Sequence, residues 1–243
     1  SDPTTIFGEY LIGSDKVLSV NIHPDIDFGS ITIGGQFADT LTLDLGFSGT
    51  LDPGDRPSLY ITFDGADELL PNDLTTVRDV LHVVNTGPTT FTLQALDIDS
   101  TEAVEVDGDI TVLGELSIDV RATDAAQYSA LIDLVHARST ASIDVLGGNI
   151  QAGTVYLTAV STQILDVAGF ELGGFQIGIL NSISEARVSV QNDSRITTTA
   201  GGITLGATSS VLAHNVLASN PGGDADTDAA VASTTVFLSL IHI

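Results

Sequence analysis

From Ala95 onward the chain repeats itself, and this repetition restricts the available folds more than any other feature. Val104 and Val106, then Ile110, then the alternating run from Leu113 to Thr123 form one unit. Ile143 and Val145, Ile150, and the run from Gly153 to Thr162 form the next. Val188 and Val190, Ile196, and the run from Gly202 to Ser209 form a third, and a fourth copy begins at Val231. Successive starts are 39, 45 and 43 residues apart. Each unit reads apolar-x-apolar, a turn, an apolar residue, a glycine, an alternating strand, then Ala and Ser or Thr.

Alternation of period two sends every second side chain to one face of a strand. In the second unit Val155, Leu157 and Ala159 are expected to point inward, and Thr154, Tyr156 and Thr158 outward. A single unit cannot cover its own apolar face, whereas stacked units cover one another. The expected fold is therefore all-β, a parallel β-helix or β-solenoid of ~40-residue repeats. Units of this length are expected to hold about two coils each, with residues 163–185 and 213–228 as the less regular coil or as excursions. A β-sandwich of the same alternating strands is the alternative.

Residues 1–96 have a different texture, a strand-rich segment expected to be continuous with the repeats of 97–237. Apolar or alternating runs start at Ser30, Thr40, Leu59 and Val80. Asp52-Pro-Gly-Asp55 and Asp64-Gly-Ala-Asp67 lie between them and supply strong turn chemistry. Residues 73–79 are expected to form a short helical turn.

Composition supports strands and turns. Most of the 32 acidic residues are aspartates, which bond their own backbone in turns, while good helix formers are scarce. The formal net charge of -25 repels phosphate backbones and anionic surfaces, so nucleic acid is an unsuitable partner. No run reaches the ~18 apolar residues of a membrane helix, so membrane insertion is not expected. The chain has no cysteine, which removes disulfides, thiolate metal sites and cysteine nucleophiles. It opens at Ser1 and has no methionine, which fits the interior of a longer reading frame or a processed N-terminus.

The glycine, strand, Ala-Thr-Ser cadence resembles the repeats of giant secreted bacterial adhesins, the haemagglutinin-like and calcium-repeat-rich surface chains. The N-terminal segment is similar to them through Asp39-Thr-Leu-Thr-Leu43, Ile61-Thr-Phe-Asp-Gly65 and Asp79-Val-Leu-His-Val83. The resemblance implies a structural or adhesive rod segment at the bacterial cell surface, stacked on flanking repeats of its own chain. Host-surface, matrix or carbohydrate ligands would be its partners. Residues 238–243 resemble the translation of a sequencing adaptor and are expected to be a non-native tail.

Candidate chemistry is sparse. Carboxylates alternate at Asp25 and Asp27, Asp97 and Asp99, Asp107 and Asp109, and Asp224, Asp226 and Asp228. Oxygen ligands so spaced suit Ca²⁺, and Asp107, Asp109, Asp224, Asp226 and Asp228 are the candidate calcium ligands. The last cluster fails as a helix-loop-helix calcium loop. Ala229 stands where glycine is needed, and Thr235 where a bidentate glutamate is needed. A solvated acidic loop is the plainer reading, and no other cofactor is expected. Paired carboxylates also serve glycoside hydrolysis, so a carbohydrate-active β-helix enzyme is the alternative function. Against it, His23, His82, His136, His214 and His242 are scattered, and the chain has no tryptophan. Gly46-Phe-Ser-Gly49 lacks the spacing of a nucleophile elbow. The expectation is a non-catalytic chain, with His82 on an outward strand face.

Overall fold

A computed structural model describes residues 17–21, 31–35, 40–47, 58–65, 80–85, 89–90, 92–101, 103–128, 132–168, 175–191, 194–216, 229–235 and 240–242. These residues are all β, without a helix, and the three large sheets are parallel throughout. No helix among them is long and apolar enough to cross a membrane.

Sheet I contains β1 (Val17–Asn21), β3 (Thr40–Asp44), β6 (Val80–Val84), β10 (Ala103–Asp107), β13 (Ile132–Gly147), β16 (Phe175–Val190) and β19 (Ala229–Thr235), in that order. A further strand, β20 (Leu240–His242), also pairs with β16. Sheet II contains β8 (Thr92–Leu93), β11 (Ile110–Val112), β14 (Asn149–Ala152) and β17 (Arg195–Thr198). Sheet III contains β2 (Ile31–Gly35), β5 (Ser58–Gly65), β9 (Ala95–Ser100), β12 (Glu115–Tyr128), β15 (Thr154–Ala168) and β18 (Ile203–Val216). A small antiparallel pair joins β4 (Gly46–Phe47) to β7 (Thr89–Thr90).

From β6 onward the chain visits the sheets in rotation, I then II then III, and each visit adds a strand beside the previous one. The register reproduces the sequence repeat. Val104 pairs with Ile143 and Ile143 with Val188 in sheet I. Ile110 pairs with Ile150 and Ile150 with Ile196 in sheet II. Leu116 pairs with Val155 and Val155 with Ile203 in sheet III. Before β6 the described strands of the large sheets alternate between I and III with none in sheet II, and they too stack in register: Thr40 pairs with Val80, and Ile31 with Ile61.

Two expectations need correction. Each repeat makes one turn of three strands, not two coils, because equivalent residues of consecutive repeats are direct sheet neighbours. The length is taken up by strands of 14 to 16 residues, which turn much of 163–185 and 213–216 into regular strand. The fourth copy is also displaced. Val231 pairs with Ile177, and Ile241 is the residue beside Val188. A sandwich does not fit this pairing, since sandwich sheets are antiparallel. The helical turn expected at 73–79 lies outside the described residues.

Side-chain size explains the cross-section. Leu116, Ile118 and Val120 of β12, Val155 and Leu157 of β15, and Ile143 and Val145 of β13 are buried in one apolar core with Ile110 and Ile150 of sheet II. Farther along the long strands the inward residues shrink to Ala122, Ala159, Ala141 and Ala186. Small residues let sheets I and III approach directly, without sheet II between them. The inward positions there then turn polar: Asp124 on β12, Ser161 and Gln163 on β15, Ser139 on β13 and Ser184 on β16 are all buried.

Candidate functional site

Asp107 and Asp109 flank the turn between β10 and β11, both exposed. Gly108 between them has φ +122°, a left-handed conformation that glycine adopts freely. Asp109 is tied to its neighbours in the stack. Its Oδ1 accepts from the Asn149 backbone N–H at 2.8 Å and from Asn149 Nδ2 at 3.2 Å. Its carbonyl accepts from Asn85 Nδ2 at 2.8 Å. Asn85, Asp109 and Asn149 thus form a polar ladder down one corner, joining three consecutive turns. Asp224, Asp226 and Asp228, like Asp25 and Asp27, lie outside the described residues. Among the described residues, no three His, Asp or Glu side chains are grouped to share a metal ion.

The outer face of sheet III gathers a more concentrated set of side chains. The register aligns Tyr60, Asp97, Ser117, Tyr156 and Thr204 in one row across five strands. The adjacent row is Thr62, Asp99, Asp119, Thr158 and Gly206. Tyr60 and Tyr156 are 47% and 39% exposed, large fractions for aromatic side chains. Neighbouring strands lie ~4.8 Å apart, so three spacings separate the tyrosines by ~14 Å. Arg121 donates through Nε to Asp119 Oδ2 at 2.9 Å, and its terminal nitrogen bonds the same oxygen. Asp119 Oδ1 is buried without a hydrogen-bond partner.

Asp99 stands beside Asp119 in register. Desolvation against the sheet raises its carboxyl above the usual aspartate range, the charges of Asp97 and Asp119 add to this, and Arg121 opposes it. Of this neighbouring pair, Asp119 is the one hydrogen-bonded to a guanidinium, that of Arg121. Sequence patterning registered Asp97 and Asp99 as an alternating pair. It missed Asp119, because that residue's proximity arises only from the register of β9 with β12.

The outer face of sheet I carries Thr42, His82, Glu105, Asp144 and Ser189 in one row. His82 lies between fully buried Leu81 and Val83, on the outward side as expected. Its Nε2 is buried without a hydrogen-bond partner. Asp144 is buried and paired with Arg187 at 2.5 Å, and Gln191 Nε2 donates to its other oxygen at 3.4 Å. That arrangement ties β13 to β16 and accounts for the buried charge. Comparison with protein-family models, with curated proteins and with solved structures finds no match for this chain.

Proposed function

We propose that the chain is a structural or adhesive segment of a large extracellular bacterial surface protein, folded as a parallel β-helix and performing no catalysis of its own. The observation that carries this reading is the in-register stacking of the repeats, one three-strand turn upon another, over a continuous apolar core. Such an object is a quasi-one-dimensional spacer that lengthens by adding turns and carries side-chain rows on its outer faces. The row from Tyr60 to Tyr156 gives it a surface on which flat apolar ligand faces, such as sugar rings, can stack beside hydroxyl and carboxylate groups. No bound calcium enters this reading, and Asp107 and Asp109 serve the turn.

The absence of cysteine permits a direct test of the stacking. Ser117→Cys with Tyr156→Cys, a register pair on the outer face, should cross-link within one chain through a short bis-thiol reagent. Ser117→Cys with Thr158→Cys should react less, and equal yields would refute the register. Adhesion is tested by binding of fluorescent chain to immobilised glycans and matrix proteins. Loss of binding in Tyr60→Ala/Tyr156→Ala with unchanged melting supports it, and no binding to any surface overturns the adhesive half of the proposal.

One observation favours a second reading, a carbohydrate-active β-helix. Asp99 and Asp119 are register partners on adjacent strands and stand on the same outer face, the kind of carboxylate pair that glycoside hydrolysis uses. Their unequal environments match an acid and a nucleophile. Release of reducing ends from a polysaccharide panel, abolished by both Asp99→Asn and Asp119→Asn, would establish it over the non-catalytic reading.

A further inference from the structure

We propose that the outer face of sheet III binds an amino-sugar polymer, a glycan whose free amines carry positive charge. This inference rests on the adhesive reading of the same face and names the chemistry of its ligand. Tyr60 and Tyr156 are exposed in one row, with Asp97 and Ser117 between them on β9 and β12. Asp99 and Asp119 stand in the next row, flanked by the hydroxyls of Thr62 and Thr158. Glu115 is exposed on the same side of β12, two residues before Ser117. Among the described residues of this face the one cationic side chain is Arg121, and its guanidinium donates to Asp119.

Charge selects the class of glycan. The carboxylates of Asp97, Asp99, Asp119 and Glu115 repel the uronate or sulfate groups of an acidic polysaccharide, and Arg121 is already engaged. The carboxylates also act on one another. The carboxyl of Asp99 is raised by desolvation first, then by the charges of Asp97 and Asp119. An ammonium group set among them relieves that repulsion, which a neutral sugar cannot do. Two tyrosines favour a ligand with flat apolar faces, and a protonated amine over a tyrosine ring adds a cation–π attraction. The flat face argues against a basic peptide. The backbone groups of β9, β12 and β15 are consumed in parallel ladders. An extended peptide laid across them finds no partners for its own N–H and C=O groups, which is why peptides join sheets at edges. A polysaccharide has no peptide backbone to satisfy, and its hydroxyls bond the Ser, Thr and Asp side chains directly.

A labelled glucosamine oligosaccharide and its fully N-acetylated counterpart share a backbone and differ in charge. Fluorescence anisotropy measures the binding of each to the full chain at about pH 5.5, where amines are protonated and ordinary carboxylates ionised. The free-amine form should bind at least ~10-fold tighter, the effect of a few exposed charge pairs together. Tyr60→Ala/Tyr156→Ala and Asp97→Asn/Asp99→Asn should each weaken it ~10-fold or more while melting stays cooperative. Glu105→Gln/Asp107→Asn changes the net charge as much as the second pair does, but on β10 of sheet I. It should weaken binding much less. Equal affinity for the two oligosaccharides, binding of neither, or equal losses in the two charge-neutralised variants would each overturn the amino-sugar assignment. Tighter binding of oligolysine, lost in the same tyrosine and aspartate variants, would replace the glycan with a basic peptide. The adhesive reading itself fails only if the chain also binds none of the immobilised glycans and matrix proteins.

Discussion

Gln163 donates from Nε2 to Asp124 Oδ2 at 2.6 Å, between two side chains that solvent barely reaches. The bond joins β15 to β12 at register partners, one turn of the stack apart. It belongs to a polar seam that continues through serines. Ser161 Oγ lies 3.0 Å from Ser139 Oγ and 2.8 Å from Ser184 Oγ, and Ser184 Oγ donates to the Ser161 carbonyl at 3.1 Å. Gln163 Oε1 is buried without a partner, so the seam is not fully satisfied.

The seam makes a double-mutant prediction. Gln163→Leu leaves a buried carboxylate without this donor and should cost about 2–3 kcal/mol. Replacing both partners with leucine should cost less than the sum of the single changes, because burying two apolar groups removes the desolvation penalty. Urea unfolding of the four proteins gives the coupling, and strict additivity would mean the pair does not interact in solution.

Gly148 has φ +85°, and a Cβ there would stand 2.3 Å from the carbonyl carbon and oxygen of Gly108. Backbone cannot retreat as a side chain can. Gly148→Ala should therefore lose more than about 2 kcal/mol, combining left-handed strain with the clash. Gly202, whose Cβ would meet nothing within 4 Å, is the control. Its alanine variant should melt within a degree or two of the parent, a shift of under ~0.5 kcal/mol.

Asp99 supplies a dependence on pH. Its carboxyl is raised in the folded chain by desolvation first, then by Asp97 and Asp119. Between the ordinary aspartate value of about 3.9 and the raised value the folded state binds more protons than the unfolded state. Stability from this group is thus lost as pH rises through the raised value, and the cost is complete at neutrality. Asp99→Asn should raise the melting temperature at pH 7, modestly because the residue is exposed and screened. The advantage should vanish on acidification below pH about 4. An unchanged difference across that range would remove Asp99 as the cause.

Self-repulsion at net charge -25 should make the fold more stable as salt rises. Since Asp109 already accepts two hydrogen bonds from Asn149, Ca²⁺ and Mg²⁺ at equal ionic strength should raise the melting temperature alike. A larger effect of Ca²⁺, lost in Asp107→Asn/Asp109→Asn, would establish a specific site at this turn. If the larger effect survives that change, the site lies elsewhere.

The register was legible in the sequence wherever alternation was anchored by a turn. Val104, Ile143 and Val188 were matched by pattern and are strand neighbours, because a one-residue slip would exchange the buried and exposed faces. The Asp39 and Asp79 runs were likewise matched by pattern, and their strands lie side by side. The number of coils per repeat was not legible, since alternation does not reveal where a long strand continues or bends. The copy assigned to Val231 slipped because a bare Val-x-x pattern fits several positions along β16. The seam was hidden for a different reason: period two places Ser161 and Gln163 inward, but their polarity argues for solvent. Ser161 finds its serine partners only where sheets I and III approach, and Gln163 finds Asp124 only through the register of β15 with β12. The row containing Asp99 and Asp119 was invisible because it is assembled across strands.

Leu157 and Tyr156 bring the register to a measurement. They are consecutive on β15, yet Leu157 is 0% exposed, between Ile118 and Leu205 in the sheet, while Tyr156 is 39% exposed on the other face. Leu157→Ala should cost about 2–5 kcal/mol through lost burial and the cavity left behind. Leu157→Asp should cost more, because the core offers an unpaired charge neither water nor a counter-ion. Such a loss is a large share of the ~5–15 kcal/mol by which domains are usually stable. Tyr156→Asp removes a good strand former from a solvated face and should cost roughly 1 kcal/mol. Its carboxylate would also sit near Asp97 and Asp119, so part of that loss should disappear in high salt, whereas the Leu157→Asp loss should not. Because both variants add the same charge one position apart, overall charge cannot produce the contrast. Melting of the variants beside the parent decides the matter: equal losses, or a larger loss at Tyr156, would mean that β15 presents the opposite face to the core.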